Sequence, residues 1–155
     1  MPTSVLFVCL GNICRSPMAE GAFRQRAAEA GIEIETDSAG TADYHVGDPP
    51  DPRAIATAKA HGVDITELRG RQFSADDFLT FSHIVVMDEQ NRADVEALRP
   101  ANATAKVLMA LDPVPGKAGQ SVADPWYGDT DDFEATWKEV DASALALVET
   151  LRADD

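Results

Sequence analysis

The stretch that decides the fold is Val5-Leu6-Phe7-Val8-Cys9-Leu10-Gly11-Asn12-Ile13-Cys14-Arg15-Ser16-Pro17. Residues 5–8 form a continuous apolar run with β-branched members, which marks a strand buried on both faces. Ser16-Pro17 reads as a helix start, with serine as the cap and proline as the first helical residue. Ala19, Ala22, Phe23, Ala27 and Ala30 then recur at helical spacing, and Gly31 supplies the stop. The turn between strand and helix contains Gly11 and Asn12, residue types that tolerate left-handed backbone. A chain turning from strand into helix there points several backbone N–H groups inward as an anion nest, and the helix N-terminus adds positive potential. Arg15 contributes a planar fork that can hold two phosphate oxygens at once. Cys9 stands at the start of this cradle. The thiolate is the nucleophilic form of cysteine, and a helix N-terminus with a nearby arginine is the setting that favours it.

Outward from this loop the chain keeps alternating. A second strand is expected over 34–38, a helix over 52–61, a third strand over 83–87, a helix over 89–98 and a fourth strand over 106–111. A closing helix is expected over 131–151, with Phe133, Trp137, Val140, Ala144, Leu147, Val148 and Leu151 on one face. Strands alternating with helices imply a single α/β domain. Its four-stranded parallel sheet carries helices on both faces, a Rossmann-like three-layer sandwich with the phosphate loop after the first strand. Segments 40–52 and 112–129 are rich in Gly, Asp and Pro and read as long loops. Such loops in a compact domain are usually functional, and open parallel sheets bind ligands at the carboxyl ends of their strands. These two loops and the cysteine loop are therefore expected to meet at one site.

The 155 residues suit one domain with one core, taken as 1–155. Apolar content of 45% argues against disorder. No apolar run is long enough to span a bilayer. The apolar stretch at 5–8 lacks the basic lead-in and cleavage site of a secretory leader, so a cytoplasmic chain is expected and the sequon Asn102-Ala103-Thr104 carries no glycan. The formal net charge is −14, and residues 112–155 hold 11 acidic against 3 basic side chains. Such a surface disfavours nucleic acid and anionic membrane. An anion site must then make its own positive field, as the loop around Arg15 does. Two cysteines are too few for a disulfide framework. His45, His61 and His83 share no metal-ligand spacing with one another or with the cysteines, so no metal and no cofactor are expected.

A nucleophile does not suffice to release an ester oxygen, which also needs a proton. Asp124, in a turn-rich loop and followed by Pro125, Trp126 and Tyr127, is the residue placed to give it. Asp88 reads as a structural acceptor and Trp137 as core.

The Cys9-x-x-x-x-x-Arg15-Ser16 loop, together with Asp124-Pro125-Trp126-Tyr127-Gly128, resembles the low-molecular-weight protein tyrosine phosphatase family. The likeness covers nearly the whole chain. Asp37-Ser38-Ala39-Gly40-Thr41 resembles that family's second strand and turn. Asp48-Pro49-Pro50-Asp51-Pro52-Arg53 resembles its next loop, and Met87-Asp88-Glu89-Gln90-Asn91 its third strand end. The resemblance implies hydrolysis of phosphotyrosine and small aryl phosphates through a phospho-cysteine on Cys9. It makes Arg15 the phosphate clamp, Asp124 the acid and base, and Ser16 a helper of the leaving thiolate. It places Leu10, Gly11, Asn12, Ile13, Cys14 and Ser16 around the phosphate, with Asn12 and Ser38 holding the loop by hydrogen bonds. Tyr44 walls the pocket opposite Trp126 and Tyr127, and a deep aromatic slot of that kind suits an aryl phosphate. The implied partners are tyrosine-phosphorylated proteins, a bacterial tyrosine kinase among them. Inorganic phosphate is the product, and the chain is a monomer or weak dimer. Cys14 either fills space under the loop or, as the resemblance implies, pairs reversibly with Cys9 on oxidation.

Two positions depart from the pattern. Leu68 stands where several members carry a histidine in the loop-holding network, and Trp126 stands where tyrosine is common. Two other activities use this kind of loop. Arsenate reductases of one type need further cysteines on a later segment, and this chain has none beyond Cys14. Protein-arginine phosphatases carry a threonine where Ile13 stands and a narrower wall than Trp126-Tyr127. A binding module without catalysis would be expected to have lost Cys9, Arg15 or Asp124, and all three are present.

Overall fold

In the computed structural model, which describes residues 3–153, the decisive apolar run forms β1 (Ser4–Cys9) and every residue of it is buried. The ends of the expected domain, residues 1–2 and 154–155, lie outside the described residues. Helix α1 (Arg15–Glu29) returns the chain to β2 (Glu35–Gly40) beside β1. The chain then passes through α2 (Pro52–Ala60) and a single turn, α3 (Asp77–Thr80), to β3 (His83–Val86) on the other side of β1. Helix α4 (Glu89–Glu96), β4 (Lys106–Met109) and the long α5 (Thr130–Ala153) complete the domain. All strand pairs are parallel and the order is β2-β1-β3-β4. Among the described residues no helix is long and apolar enough to cross a membrane.

The pleat of the sheet sorts the core into two halves. Val5 and Phe7 on β1, with Val85 on β3, pack under α1, α2 and α5 against Phe23, Ala54, Phe133 and Trp137. Leu6 and Val8, with Ile84 and Val86, face the opposite way onto Phe78 of α3 and Val95 of α4. Helices therefore cover both faces, as the unbroken apolar run of β1 requires. Burying each such side chain contributes about 1.5–3 kcal/mol before the entropy of ordering it is counted.

Two local expectations are corrected, and one element is new. Helix α1 begins at Arg15, and Cys14 at its N-cap makes no side-chain capping bond. Ser16 lies inside the first turn because its hydroxyl is engaged by Cys9 and Asn12 instead. Pro17 still fits, since first-turn N–H groups have no intrahelical partner. Strand β4 stops at Met109, two residues before the expected end, because the Asp112 carboxylate turns back to accept from the Met109 N–H at 2.9 Å. Helix α3 was not expected at all: four residues carry no readable period, and the turn is held by Asp77 and the buried Phe78.

The topology places the site. From β1 the chain continues to β2 on one side and reaches β3 on the other, so the crevice at this switch point opens beyond the carboxyl end of β1. Cys9 is the last residue of that strand and pairs with Gly40. A Cβ on Gly40 would lie 2.8 Å from the Leu10 carbonyl oxygen and 3.2 Å from Asn12 Cβ, so the loop after β1 rests directly on β2 backbone.

Candidate active site

The turn after β1 is made by Asn12, whose φ of 60° is the one positive value at a non-glycine among the described residues. Gly11, expected to share that role, does not take the left-handed region. It is needed for room, because a Cβ there would come within 3.2 Å of His45 Cδ2. The Asn12 side chain is spent on three partners. Its Nδ2 donates to Ser16 Oγ at 2.8 Å and to Ser38 Oγ at 3.0 Å, and its Oδ1 accepts from the Arg71 N–H at 3.0 Å. Ser16 Oγ, which accepts from Asn12, lies 3.0 Å from Cys9 Sγ, and its own hydrogen is free to point at the sulfur. The Asn12 N–H also points at Cys9 Sγ, at 3.3 Å. The Leu68 side chain packs against the main core cluster.

Arg15 is buried, with only 3% of its side chain exposed. Its Nη1 donates to Asp88 Oδ2 at 2.7 Å and to the Val122 carbonyl at 3.0 Å, and its Nη2 lies 3.6 Å from Asp124 Oδ2. Burial works against the guanidinium charge, but the charge of Cys9, the hydrogen bond donated to Asp88 and the charge of Asp124 outweigh it and hold the group above its ordinary value. Asp88 does a second job as the cap of α4, accepting from the Asn91 N–H at 2.7 Å. Cys14 lies near Asp51 and Asp124. Burial, then Asp51, then Cys9 push its thiol far up, with Arg53 opposing, so it stays protonated at neutral pH. Both cysteines are free.

These groups open into one pocket of about 320 Å³. Cys9, Arg15 and the loop residues Leu10, Gly11, Ile13 and Cys14 form its floor. Tyr44, Asp124, Trp126 and Tyr127 stand around it, so the three expected loops do meet. Asn12 and Ser16 do not line the pocket. They lie buried behind the loop, where their polar atoms are used on Cys9, Ser38 and Arg71. The expected deep slot is a mouth with open walls, for Tyr44 is 71% and Tyr127 98% exposed. The sequence reading missed His45, which lines the pocket, pairs with Asp48 at 3.1 Å and faces the Trp126 ring at 6.1 Å. Its position next to Tyr44 was the available signal. Among the described residues no group of three or more His, Cys, Asp and Glu side chains could hold a metal ion.

A doubly wound parallel sheet with an anion-cradling loop at its switch point defines an α/β protein of the phosphate-loop class. The family model described as low molecular weight phosphotyrosine protein phosphatase matches residues 4–155, and the chain belongs to that family. The low molecular weight phosphotyrosine protein phosphatase of Saccharomyces cerevisiae is 40% identical over 142 residues, covering 88% of each chain. Among solved structures, YfkJ from Bacillus subtilis is similar with a TM-score of 0.92 at 34% identity, over 100% of this chain and 98% of that one. The Drosophila arginine phosphatase is similar with a TM-score of 0.90 at 31% identity, over 97% of this chain and 99% of that one.

Proposed function

We propose that this chain hydrolyses phosphotyrosine in proteins through a phospho-cysteine on Cys9. The observation that carries the reading is the convergence on one pocket of Cys9, of a buried Arg15 fixed by Asp88, and of Asp124 3.6 Å from that arginine. Arg15 and the inward N–H groups of the loop hold the non-bridging oxygens of the phosphoryl group. Cys9 Sγ forms a bond to phosphorus as the ester P–O bond breaks, and Asp124 gives its proton to the departing tyrosine oxygen. The Asp124 carboxylate then takes a proton from water, whose oxygen attacks phosphorus. The S–P bond breaks, the Ser16 hydroxyl receives the thiolate, and inorganic phosphate leaves.

Ile13 on the pocket floor and the Trp126-Tyr127 wall favour an aromatic ester over phosphoarginine. The chain acts on tyrosine-phosphorylated proteins as a cytoplasmic monomer, and a bacterial tyrosine kinase is the partner to try first. Hydrolysis of p-nitrophenyl phosphate by wild type, Cys9→Ser and Asp124→Asn tests the mechanism. Turnover abolished by Cys9→Ser and cut roughly 10²–10⁴-fold by Asp124→Asn supports it. Absence of turnover in the reduced wild type overturns it, and phosphoarginine becomes the next substrate to assay.

A further inference from the structure

The loop that carries Asp124 is anchored differently on its two sides. Just upstream, the Val122 N–H donates to the Met87 carbonyl at 2.7 Å, the Val122 carbonyl accepts from Arg15, and Thr136 Oγ1 donates to the Ala123 carbonyl at 3.2 Å. Downstream, Arg53 reaches the loop twice. Its Nη1 donates to the Gly128 carbonyl at 3.2 Å, and its guanidinium carbon lies 5.4 Å from the centroid of the Trp126 ring. A cation over the face of an indole is attracted by the ring quadrupole. Trp126 is tied in turn to the acid itself, because its backbone N–H donates to Asp124 Oδ1 at 3.0 Å. The position of the indole and the orientation of the carboxyl are therefore linked through one short turn.

Arg53 is itself fixed from the nucleophile's side. Its Nε and Nη2 each reach the Asp51 carboxylate at 3.1 Å, and Asp51 is nearly buried. The Asp51 N–H donates to the Ile13 carbonyl, within the loop that follows Cys9, at 2.8 Å. A continuous path thus runs from Ile13 through Asp51 and Arg53 to Trp126 and Asp124. We propose that Arg53 is a positioning residue that holds the Asp124 carboxyl in register with Cys9, so that proton donation coincides with breaking of the P–O bond. The proposal rests on the phosphatase reading above and adds the group that sets the acid in place.

A misplaced acid harms a basic leaving group most, because an acidic one departs without a full proton. The test compares phenyl phosphate, whose phenol titrates at about 10 as tyrosine does, with p-nitrophenyl phosphate, whose phenol is far more acidic. Arg53→Met and Arg53→Lys are measured with wild type, Asp124→Asn and the double variant Asp124→Asn/Arg53→Met. Expected are losses in kcat/KM, which ends at formation of the phospho-cysteine, of roughly 10-fold or more on phenyl phosphate against about 3-fold or less on p-nitrophenyl phosphate. Inhibition by inorganic phosphate stays unchanged, and Arg53→Met costs nothing further once Asp124 is Asn. Equal losses on both substrates, or additive loss in the double variant, overturn the proposal while leaving the phosphatase reading intact. An inactive wild type would instead sink that reading itself. If Arg53→Met does not fold, Arg53→Lys decides alone: it keeps the charge but not the fork, and the same substrate-selective loss is required of it.

Discussion

Replacing Asn12 tests whether the loop is held as described. Asn12→Ala removes two donated hydrogen bonds and one accepted one, to Ser16, Ser38 and the Arg71 N–H. Each such bond contributes about 1 kcal/mol. Alanine must also take up the left-handed backbone, which costs an L-residue about 1–2 kcal/mol and which asparagine tolerates better. The destabilisation is then about 4 kcal/mol, and at this chain length each kcal/mol corresponds to roughly 2–4 °C in Tm. Asn12→Gly loses the same bonds but escapes the backbone penalty, and gives back only about 0.5–1 kcal/mol through its greater unfolded-state entropy. Glycine should therefore melt above alanine by about 1–4 °C, with both well below wild type. Thermal unfolding followed by circular dichroism reads the order, and kcat on p-nitrophenyl phosphate reads the loss of the oriented Ser16 hydroxyl. A Tm for Asn12→Ala at or above that of Asn12→Gly would refute the backbone argument. A drop below about 3 °C in both would refute the hydrogen-bond argument.

Two further outcomes concern Glu20 and Gly40. Glu20 is 1% exposed on α1; its Oε2 meets Arg24 at 3.1 Å and Thr36 at 3.1 Å, while its Oε1 has no partner. Burial raises its carboxyl above the usual range despite Arg24. A raised folded value contributes stability below the unfolded value of about 4.3 that is lost as pH climbs through the folded one. The Tm of Glu20→Gln minus that of wild type should rise with pH from about 4 upward, and a pH-independent difference refutes this. Gly40→Ala would drive a methyl group to 2.8 Å from the Leu10 carbonyl oxygen, so the loop must lift off β2. Circular dichroism should show a folded variant whose affinity for inorganic phosphate is at least 10-fold weaker, and unchanged affinity would show that the loop does not depend on that contact.

Much of the architecture was legible because its signals are local and strong. The run at 5–8, with its β-branched residues, carries the mark of a strand covered twice, and the apolar face of α5 has one helical period to follow. The site was legible where chemistry demands particular residue types, as at Cys9, Arg15 and Asp124. What was not legible depends on partners distant in the chain. Nothing near Ser16 says that its hydroxyl turns back to Cys9 instead of capping a helix. Nothing near Leu68 says that the Arg71 N–H holds the Asn12 side-chain oxygen. His45 and Arg53 acquire their places only when 40–52 and 112–129 fold over the end of β1, and the single turn α3 is marked only by Phe78, which is buried against β-sheet residues distant in the chain.

Cys9 is a strand residue, not a loop residue, and this ties the nucleophile to an interior strand of the sheet. Val5 to Val8 of β1 are paired on both sides, by β2 and by β3. Amide hydrogens in such a strand escape to solvent only when the whole domain opens, whereas turn-built segments such as 112–129 open in partial excursions of much lower free energy. The two halves of the machinery thus sit at opposite ends of the local-stability scale. Mild heat or denaturant would first detach the acid, leaving a cysteine still seated on an intact sheet and still able to bind an oxyanion it could no longer efficiently turn over.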